Sequence, residues 1–312
     1  MEPEICTNCE PIRMEMIALF GPTGVGKTSL AIELARMLRD RGEDPVAVSA
    51  DALQVYAGLE ILTGAASPAE QAALEHRLLS FLPLDATFSV GQNAELAHAQ
   101  IDELLDEGRL PIVVGGTGLY LRAALTELDL RPPPPEGIRA RWTAELELRG
   151  SPALHAQLAE VAPWAAEQIE PNDRQRVVRA LELHDLGELE PPEGPSQLWS
   201  GELRHPTRLV GLTMGREQLY EAIGARVDAM IAAGAREEVL RARAAGVSDT
   251  ARKALGFEEL AQGDIEGMKR RTRNYARRQL TWMRKLAGVT VIDVSGREAA
   301  VVASEILDSD AG

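Results

Sequence analysis

The strongest chemical signal in the sequence is a glycine-rich segment that could hold a phosphate group. Residues 21–28 match the pattern G-x-x-x-x-G-K-[ST], with an apolar strand predicted before them and a helix after them. Backbone N–H groups and the helix start would face the phosphate, Lys27 would add a full charge, and the Thr28 hydroxyl could bind Mg²⁺. A diphosphate and a triphosphate fit this pattern equally well. The residues expected to hold it are Gly21, Thr23, Gly24, Gly26, Lys27 and Thr28.

Two polar residues follow other apolar strands and could act on the same ligand. Asp51 follows the predicted strand 46–50, and Thr117 lies in a Gly-Gly-Thr-Gly turn after the predicted strand 110–114. Ligands of open parallel sheets bind where the strands end, so we expect Asp51 and Thr117 to lie beside the phosphate segment. Asp51 could be a general base or could hold Mg²⁺ through water, and the alternative is an aspartate that caps a turn or helix. The strand 110–114 lacks the terminal aspartate with which P-loop NTPases usually hold magnesium.

A basic helix near the C-terminus is the other strong signal, because the chain as a whole carries a net charge of −15. Residues 269–285 contain eight Lys or Arg residues and no acidic residue. One helical stripe of this segment comprises Arg270, Arg273, Arg277, Thr281 and Arg284. A cationic stripe on an acidic protein suits a polyanion, either an RNA backbone or a diphosphate. The alternative is a solvated face that is balanced by the acidic surface.

The elements that must position these residues are typical of an α/β fold. Apolar strands are predicted at 16–20, 46–50, 110–114 and 208–212, and helices at 29–39, 94–107, 216–245 and 264–285. Strands that are apolar throughout and separated by helices indicate a parallel sheet covered on both faces. We therefore predict a P-loop NTPase-like parallel sheet with helices on both faces and a small helical insertion domain.

Changes in composition divide the chain into regions. Four prolines at 132–135 stiffen the chain and precede predicted helices over 137–150 and 153–166, and a second proline cluster follows. The predicted regions are a flexible tail at 1–13, the first part of the core at 14–130, a helical insertion at 131–198, the second part of the core at 199–292 and an acidic C-terminal segment at 293–312.

Composition excludes several classes of protein. Hydrophobic residues make up 45% of the chain and aromatic residues 4%, so a sizeable core is expected and it must be aliphatic. No run of about 18 apolar residues occurs, and Glu2, Glu4 and Glu10 stand where a signal peptide needs basic residues. Cys6 and Cys9 are too few for a disulfide framework or a four-ligand zinc site. We expect a soluble, cytoplasmic protein with no membrane contact.

Five ordered motifs resemble those of the tRNA dimethylallyltransferases, also called tRNA isopentenyltransferases. They lie at 21–28, 49–56, 110–120, 171–181 and 273–282. The resemblance implies transfer of a dimethylallyl group from dimethylallyl diphosphate to the exocyclic amine of the adenosine 3′ of the tRNA anticodon, with Mg²⁺ as cofactor and release of pyrophosphate. A loop that cradles a departing diphosphate needs no nucleotide hydrolysis, which fits the missing magnesium aspartate.

The resemblance also implies roles for individual residues. Asp51 matches the family's general base, Thr117 the threonine that contacts the flipped base, and Arg216 the arginine that stabilises the leaving diphosphate. A monomer that binds the anticodon stem-loop is expected, and the resemblance implies that the helical insertion at 131–198 contacts the tRNA. The residues implied in tRNA binding are Asp51, Ala52, Leu53, Gln54, Thr117, Arg139, Gln175, Arg176, Arg179, Arg252, Lys253, Phe257, Arg273 and Arg277.

Two other functions stay open at this point. A P-loop small-molecule or nucleotide kinase would place ATP in the phosphate segment and use Asp51 to activate an acceptor hydroxyl. The basic helix and the turn at 115–120 count against that reading. A catalytically silent RNA-binding relative is the second alternative. It is disfavoured because Lys27, Asp51, Thr117 and Arg216 are all present.

Overall fold

The computed structural model describes residues 16–191, 198 and 201–308, so the predicted tail at 1–13 lies outside the described residues. The chain divides into two compact units. One contains the described residues up to Asp129 and from Leu198 onward, and the other is Leu130–Gln197. No helix within the described ranges has both the length and the apolar character needed to cross a bilayer.

The larger unit is built on a parallel sheet. Its strands are β1 (Met16–Phe20), β2 (Pro45–Ser49), β3 (His76–Arg77), β4 (Leu110–Gly115), β5 (Thr207–Thr213) and β6 (Thr290–Asp293), in the order β3-β2-β4-β1-β5-β6. Every residue of β1 and β2 is buried, as expected for strands covered on both faces. The predicted α/β fold with a parallel sheet is confirmed. The edge strands β3 and β6 escaped prediction because one has two residues and the other is largely exposed.

Helices cover both faces of this sheet. In chain order the helices of both units are α1 (Lys27–Asp40), α2 (Glu60–Thr63), α3 (Pro68–Ala73), α4 (Val90–Asp106), α5 (Gly118–Leu125), α6 (Glu136–Arg149), α7 (Ser151–Val161), α8 (Pro163–Gln168), α9 (Arg174–Leu186), α10 (Arg216–Ala232), α11 (Ala235–Ala245), α12 (Phe257–Gln262), α13 (Ile265–Met283) and α14 (Ala299–Asp308). On one face Ile17 and Leu19 of β1 pack in a cluster with residues of α1 and α14. On the other face Ala18 and Phe20 pack in a cluster with residues of α4, α5 and α13. The alternation along β1 therefore divides the core into two layers.

The structure corrects three predicted elements. The single helix predicted over 216–245 is two helices, because Gly234 adopts a φ of 96° that ends the helical geometry. The helix predicted over 153–166 is likewise broken before Pro163, whose ring cannot continue the preceding helix. The segment predicted only as acidic at 293–312 contains α14, whose Val302 and Ile306 are 1% exposed in the core.

The second unit has its own small core. Trp142 of α6, Leu154 and Leu158 of α7, and Val177 and Leu181 of α9 are buried together. The indole Nε1 of Trp142 donates a hydrogen bond of 2.6 Å to Asp185 Oδ2, which ties α6 to α9. A buried tryptophan of this kind contributes both apolar area and an oriented polar contact.

Candidate active site

Three loops that follow neighbouring strands meet at the carboxyl edge of the sheet. The phosphate segment follows β1, Asp51 follows β2, and Thr117 follows β4. Strand β4 lies between the other two, with Phe20 paired to Gly115 and the Ala50 N–H donating to Val114 O at 2.9 Å. The phosphate segment, Asp51 and Thr117, which the sequence predicts at one edge, are therefore at one edge.

The phosphate segment has the backbone conformation that its glycines allow. Gly24 and Gly26 have φ values of 85° and 92°, in the region that residues with a Cβ rarely adopt. Gly26 is the N-cap of α1, so Lys27 is the first helical residue. The Lys27 Nζ donates to the carbonyl oxygens of Gly21 at 2.8 Å and Pro22 at 3.1 Å. The ammonium group thus closes over the loop, where it could exchange carbonyl partners for phosphate oxygens.

The charge state of Lys27 depends on its surroundings. Burial and, second to it, the neighbouring positive charge of Arg226 lower the pKa of Lys27, the charge of Asp51 opposes both effects, and the net result is a pKa of about 8. The folded protein therefore disfavours the ammonium form relative to the unfolded chain. An anionic ligand beside Lys27 would reverse this preference, because it favours the charged form.

We expect pyrophosphate affinity to fall as the pH rises above about 8, the pKa of Lys27 in the ligand-free protein. Below that pH the ammonium is already present, whereas above it binding must take up a proton, which weakens binding by up to about tenfold per pH unit. Titration calorimetry with pyrophosphate and Mg²⁺ between pH 7 and 9.5 measures this effect. Lys27→Arg is the control, because it stays charged and reports the ionisation of pyrophosphate itself. Identical pH profiles for the two proteins would contradict the assignment.

Asp51 lies in a local turn within this charged environment. Its Oδ1 accepts hydrogen bonds from the backbone N–H groups of Leu53 at 2.9 Å and Gln54 at 3.3 Å. Both bonds are accepted by Oδ1, so this oxygen holds the carboxylate in place. Its charge also acts on two phenols. Burial and the charge of Asp51 raise the pKa of Tyr120 and the pKa of Tyr275 to about 12 each. Both phenols therefore stay protonated and can donate hydrogen bonds.

Arg226 is a cation of this site that the sequence did not single out. It lies on α10 against Gly64, where a Cβ would overlap the guanidinium group. Burial lowers the pKa of Arg226, and the charge of Asp51 opposes that shift. Arg226 thus accompanies Lys27 as a second cation that interacts with Asp51. The only signal in the sequence was an arginine beside Ile223 and Val227 on the apolar face of a predicted helix.

Helix α13 contacts both the phosphate segment and the turn after β4. The Thr117 hydroxyl lies 2.9 Å from the Tyr275 hydroxyl. Gln279 Nε2 donates to Gly116 O at 2.6 Å, and Gln279 Oε1 accepts from the Thr23 N–H at 2.9 Å. Thr117 occupies the N-cap position of α5 without capping it through its side chain, so its hydroxyl bonds to α13 instead.

The structure brings together two arginines that the sequence predicted for different tasks. The Arg216 Cζ lies 5.4 Å from the ring centroid of Tyr220, and the Arg273 Cζ lies 5.7 Å from the same centroid. Arg273 was predicted in the exposed stripe of α13, but it is half-buried and its Nε is fully buried. Both guanidinium groups are therefore held on the face of one aromatic ring.

The outer face of α13 keeps most of the predicted cations in solvent. The exposed residues of α13 and its C-cap include Arg270, Arg277, Arg278, Thr281 and Arg284. Two other cations of the same helix are paired within the unit. Arg271 Nη1 lies 2.9 Å from Glu259, and Lys269 Nζ lies 2.7 Å from Asp228. The positive charge of α13 that faces solvent is therefore carried by four exposed arginines. We call them the α13 arginine face: Arg270, Arg277, Arg278 and Arg284.

The remaining residues predicted to bind tRNA differ widely in their surroundings. Arg252 and Lys253 are exposed in a short 3₁₀-helix (Ala251–Lys253), whereas Phe257 is 1% exposed and packs in the core. Ala52 and Leu53 are half-buried beside Asp51. Gln54 is half-buried as well, and its Nε2 donates to Gly64 O at 3.1 Å. The loop after β2 is thus tied to the glycine beneath Arg226.

In the second unit the predicted residues also divide into two groups. Gln175 and Arg176 are exposed in the first turn of α9. Arg139 makes a bidentate ion pair with the fully buried Glu182, with distances of 2.7 and 2.9 Å. Arg179 Nη1 lies 3.4 Å from the same carboxylate, and its Nη2 donates to Pro132 O at 2.7 Å. Arg139 and Arg179 therefore also hold this unit together, since a buried carboxylate requires partners.

Comparison with known proteins places this arrangement in a family. The family model described as IPP transferase matches residues 54–286. The chain belongs to the IPP transferase family. Curated relatives of this IPP transferase include a tRNA dimethylallyltransferase from Thermobifida fusca, 40% identical over 86% of this chain and 87% of that protein. Another tRNA dimethylallyltransferase, from Symbiobacterium thermophilum, is 37% identical over 94% of each chain.

A solved structure gives the same result at the level of the fold. The tRNA isopentenylpyrophosphate transferase from Bacillus halodurans is 33% identical to this IPP transferase, and the match covers 96% of each chain with a TM-score of 0.68. The family model begins at Gln54, after the phosphate segment and three residues after Asp51. It extends to residue 286, just beyond the end of α13. The match therefore includes Thr117 and the α13 arginine face.

Proposed function

We propose that this IPP transferase transfers the dimethylallyl group of dimethylallyl diphosphate to the exocyclic amine of the adenosine 3′ of a tRNA anticodon. The observation that carries the proposal is that Asp51, which follows β2 at the carboxyl edge of the sheet, interacts electrostatically with two cations, Lys27 of the phosphate segment and Arg226 of α10. That arrangement offers an anion site for a leaving diphosphate and a carboxylate for the incoming amine. Relatives with 40% and 37% identity are tRNA dimethylallyltransferases. The kinase alternative is not favoured.

The donor half of the reaction uses the phosphate segment. Its N–H groups, the start of α1 and Lys27 would bind the diphosphate. As the bond between the allylic carbon and the diphosphate oxygen breaks, negative charge develops on the leaving group. We assign Arg226, which interacts with Asp51, to stabilise that charge in place of the role predicted for Arg216. Arg216 and Arg273 lie together on Tyr220, where they form a further cationic position.

The acceptor half of the reaction uses Asp51 and Thr117. The carbon–nitrogen bond forms as the carbon–oxygen bond breaks, and the amine proton moves to the Asp51 carboxylate. Thr117 would contact the flipped adenine, with its hydroxyl oriented by the Tyr275 hydroxyl at 2.9 Å. Single-stranded loops make base extrusion cheap, which suits an anticodon loop as substrate.

The residues present fit a magnesium ion held together with the diphosphate. Thr28 follows Lys27 at the start of α1, so its hydroxyl is available at the phosphate segment as an oxygen ligand. No group of three His, Cys, Asp or Glu side chains within the described ranges is arranged to hold a metal ion. Magnesium bound at Thr28 would neutralise charge on the departing diphosphate.

The tRNA would be bound by cations at several exposed positions. We assign phosphate contacts to the α13 arginine face and to Arg252 and Lys253, which are exposed in their 3₁₀-helix. Gln175 and Arg176 of α9 present polar groups to solvent in the second unit. Contacts with phosphate supply affinity and set the register, while the adenine is read at Asp51 and Thr117.

Incubation with labelled dimethylallyl diphosphate and bulk tRNA tests this function directly. After nucleoside analysis we expect label in an adenosine that carries a dimethylallyl group on its exocyclic amine, together with one pyrophosphate released per group transferred. RNA lacking an adenosine 3′ of the anticodon is the matched control. ATP turnover without RNA, and no label in tRNA, would instead support a kinase.

Replacing Arg277 and Arg284 together with glutamine should weaken tRNA binding and flatten its dependence on salt. The slope of log K against log salt is negative, and each lost phosphate contact is expected to reduce its magnitude by about 1. Fluorescence anisotropy at several salt concentrations measures the slope. The control is Arg36→Gln with Arg41→Gln, which changes the net charge equally on the exposed part of α1 and beyond its end. An equal slope in both double variants would show that the α13 arginine face is only a solvated surface and does not bind RNA phosphates.

A further inference from the structure

Gln279 connects the inner face of α13 to two loops of the reaction site. Gln279 is buried, with 5% of the residue exposed, and its amide makes one fully buried and one partly buried hydrogen bond. The oxygen accepts from the Thr23 N–H in the phosphate segment at 2.9 Å. The nitrogen donates to the Gly116 carbonyl at 2.6 Å, immediately before Thr117. One side chain thus spans the donor loop and the acceptor loop.

The contact requires an amide at position 279 and a glycine at position 116. A primary amide accepts at one end and donates at the other, as Thr23 N–H and Gly116 C=O require. A Cβ at Gly116 would lie 2.7 Å from Gln279 Nε2, so the close approach depends on glycine. Trp282, one turn further along α13, covers Gly118 in the same way. Three successive residues, Gly116 to Gly118, therefore receive side chains from α13.

The opposite face of the same helix carries the α13 arginine face. Gln279 and Arg277 are two positions apart, so they project about 200° from each other around the helix. Arg277 is exposed and Gln279 is buried. RNA held on the outer face would fix the position of α13, and Gln279 would pass that constraint to Thr23 and Gly116. The backbone of α13 and the Gln279 amide thus form a continuous series of contacts from the outer face of the helix to the two loops.

We propose that Gln279 is a positioning residue that couples binding of RNA on α13 to binding of the diphosphate in the phosphate segment. The inference rests on the proposed function and adds to it a thermodynamic link between the two substrates. By linkage, RNA must tighten pyrophosphate binding by the same factor as pyrophosphate tightens RNA binding. Neither Asp51 nor Lys27 needs to contact the RNA backbone for this effect.

The test compares pyrophosphate affinity with and without a saturating anticodon stem-loop RNA. In the wild-type protein the RNA is expected to tighten pyrophosphate binding by about 5–150-fold, the usual range for coupled sites. Gln279→Met keeps the length and apolar stem but loses both hydrogen bonds, so the factor should fall to about 1. Gln262→Met is the matched control, since Gln262 is exposed at the end of α12. It should keep the full factor.

A double-mutant cycle tests the contact itself and remains informative if Gln279→Met is unstable. Gly116→Ala should lower kcat at least about tenfold in the wild-type background, because the new Cβ meets Gln279 Nε2. In the Gln279→Ala background that space is free, so Gly116→Ala should have almost no further effect. Additive losses in the cycle would overturn the proposal.

Three results in the binding experiment would also overturn it. They are a wild-type factor of 1, an unchanged factor in Gln279→Met, and loss of the factor in Gln262→Met. Because these measurements need no turnover, they are separate from the proposed function. Absence of labelled adenosine would refute the transfer reaction while leaving the coupling measurable.

Discussion

Asp51→Asn is expected to lower kcat by about 10²–10⁴-fold, with the KM values for donor and tRNA changed much less. The exocyclic amine of adenosine is a weak nucleophile, so its proton must be accepted as the allylic carbon begins to bond. Asparagine keeps an oxygen that can accept from the Leu53 and Gln54 N–H groups, so the turn should persist. The variant therefore removes basicity while preserving the local geometry.

Steady-state kinetics with both substrates varied, and single-turnover measurements, distinguish this effect from weaker binding. Asp106→Asn, a substitution at an exposed position on α4, is the control for the change in net charge. It should retain wild-type kcat. If Asp51→Asn raised KM and left kcat intact, Asp51 would only position a substrate or magnesium, and another group would be the base.

Lys27→Ala should lower kcat/KM by about 10²–10³-fold, because the diphosphate loses a direct charge partner as its own charge develops. That range corresponds to the roughly 2.7–4 kcal/mol lost with one preorganised donor in other enzymes. The fold should survive the change, since burial and the charge of Arg226 both disfavour the ammonium in the ligand-free protein. Melting temperature and transfer activity should therefore respond differently.

Pyrophosphate affinity is the measurement that isolates the donor site in this variant. We expect weaker binding of pyrophosphate and nearly unchanged affinity for stem-loop RNA, because the α13 arginine face is intact. Lys27→Arg should recover part of the affinity through its charge, but with altered geometry. A folded Lys27→Ala protein with wild-type pyrophosphate affinity would show that the loop does not hold the donor.

Local patterns in the sequence were sufficient for the four central strands, β1, β2, β4 and β5, and for the loops that end them, but not for the edge strands β3 and β6. The run 16–20 and the glycines of 21–28 specify a buried strand and a positive-φ loop through interactions among near neighbours. Asp51 and Thr117 follow strands whose apolar character is equally local, and the carboxyl-edge rule then places them together. The helix breaks at Gly234 and Pro163 were also present in the sequence, but helical periodicity continued past both residues.

Contacts between distant parts of the chain were decided only by the tertiary structure. Gln279 and Thr23 are 256 residues apart, and Tyr275 and Thr117 are 158 residues apart, so no spacing pattern could pair them. Arg226 becomes part of the site only when α10 packs its guanidinium group on Gly64. Arg273 is half-buried and not exposed as predicted, because its guanidinium group packs on the ring of Tyr220 from α10. Periodicity tells which residues share a face of a helix, whereas the packing of that helix decides what each face meets.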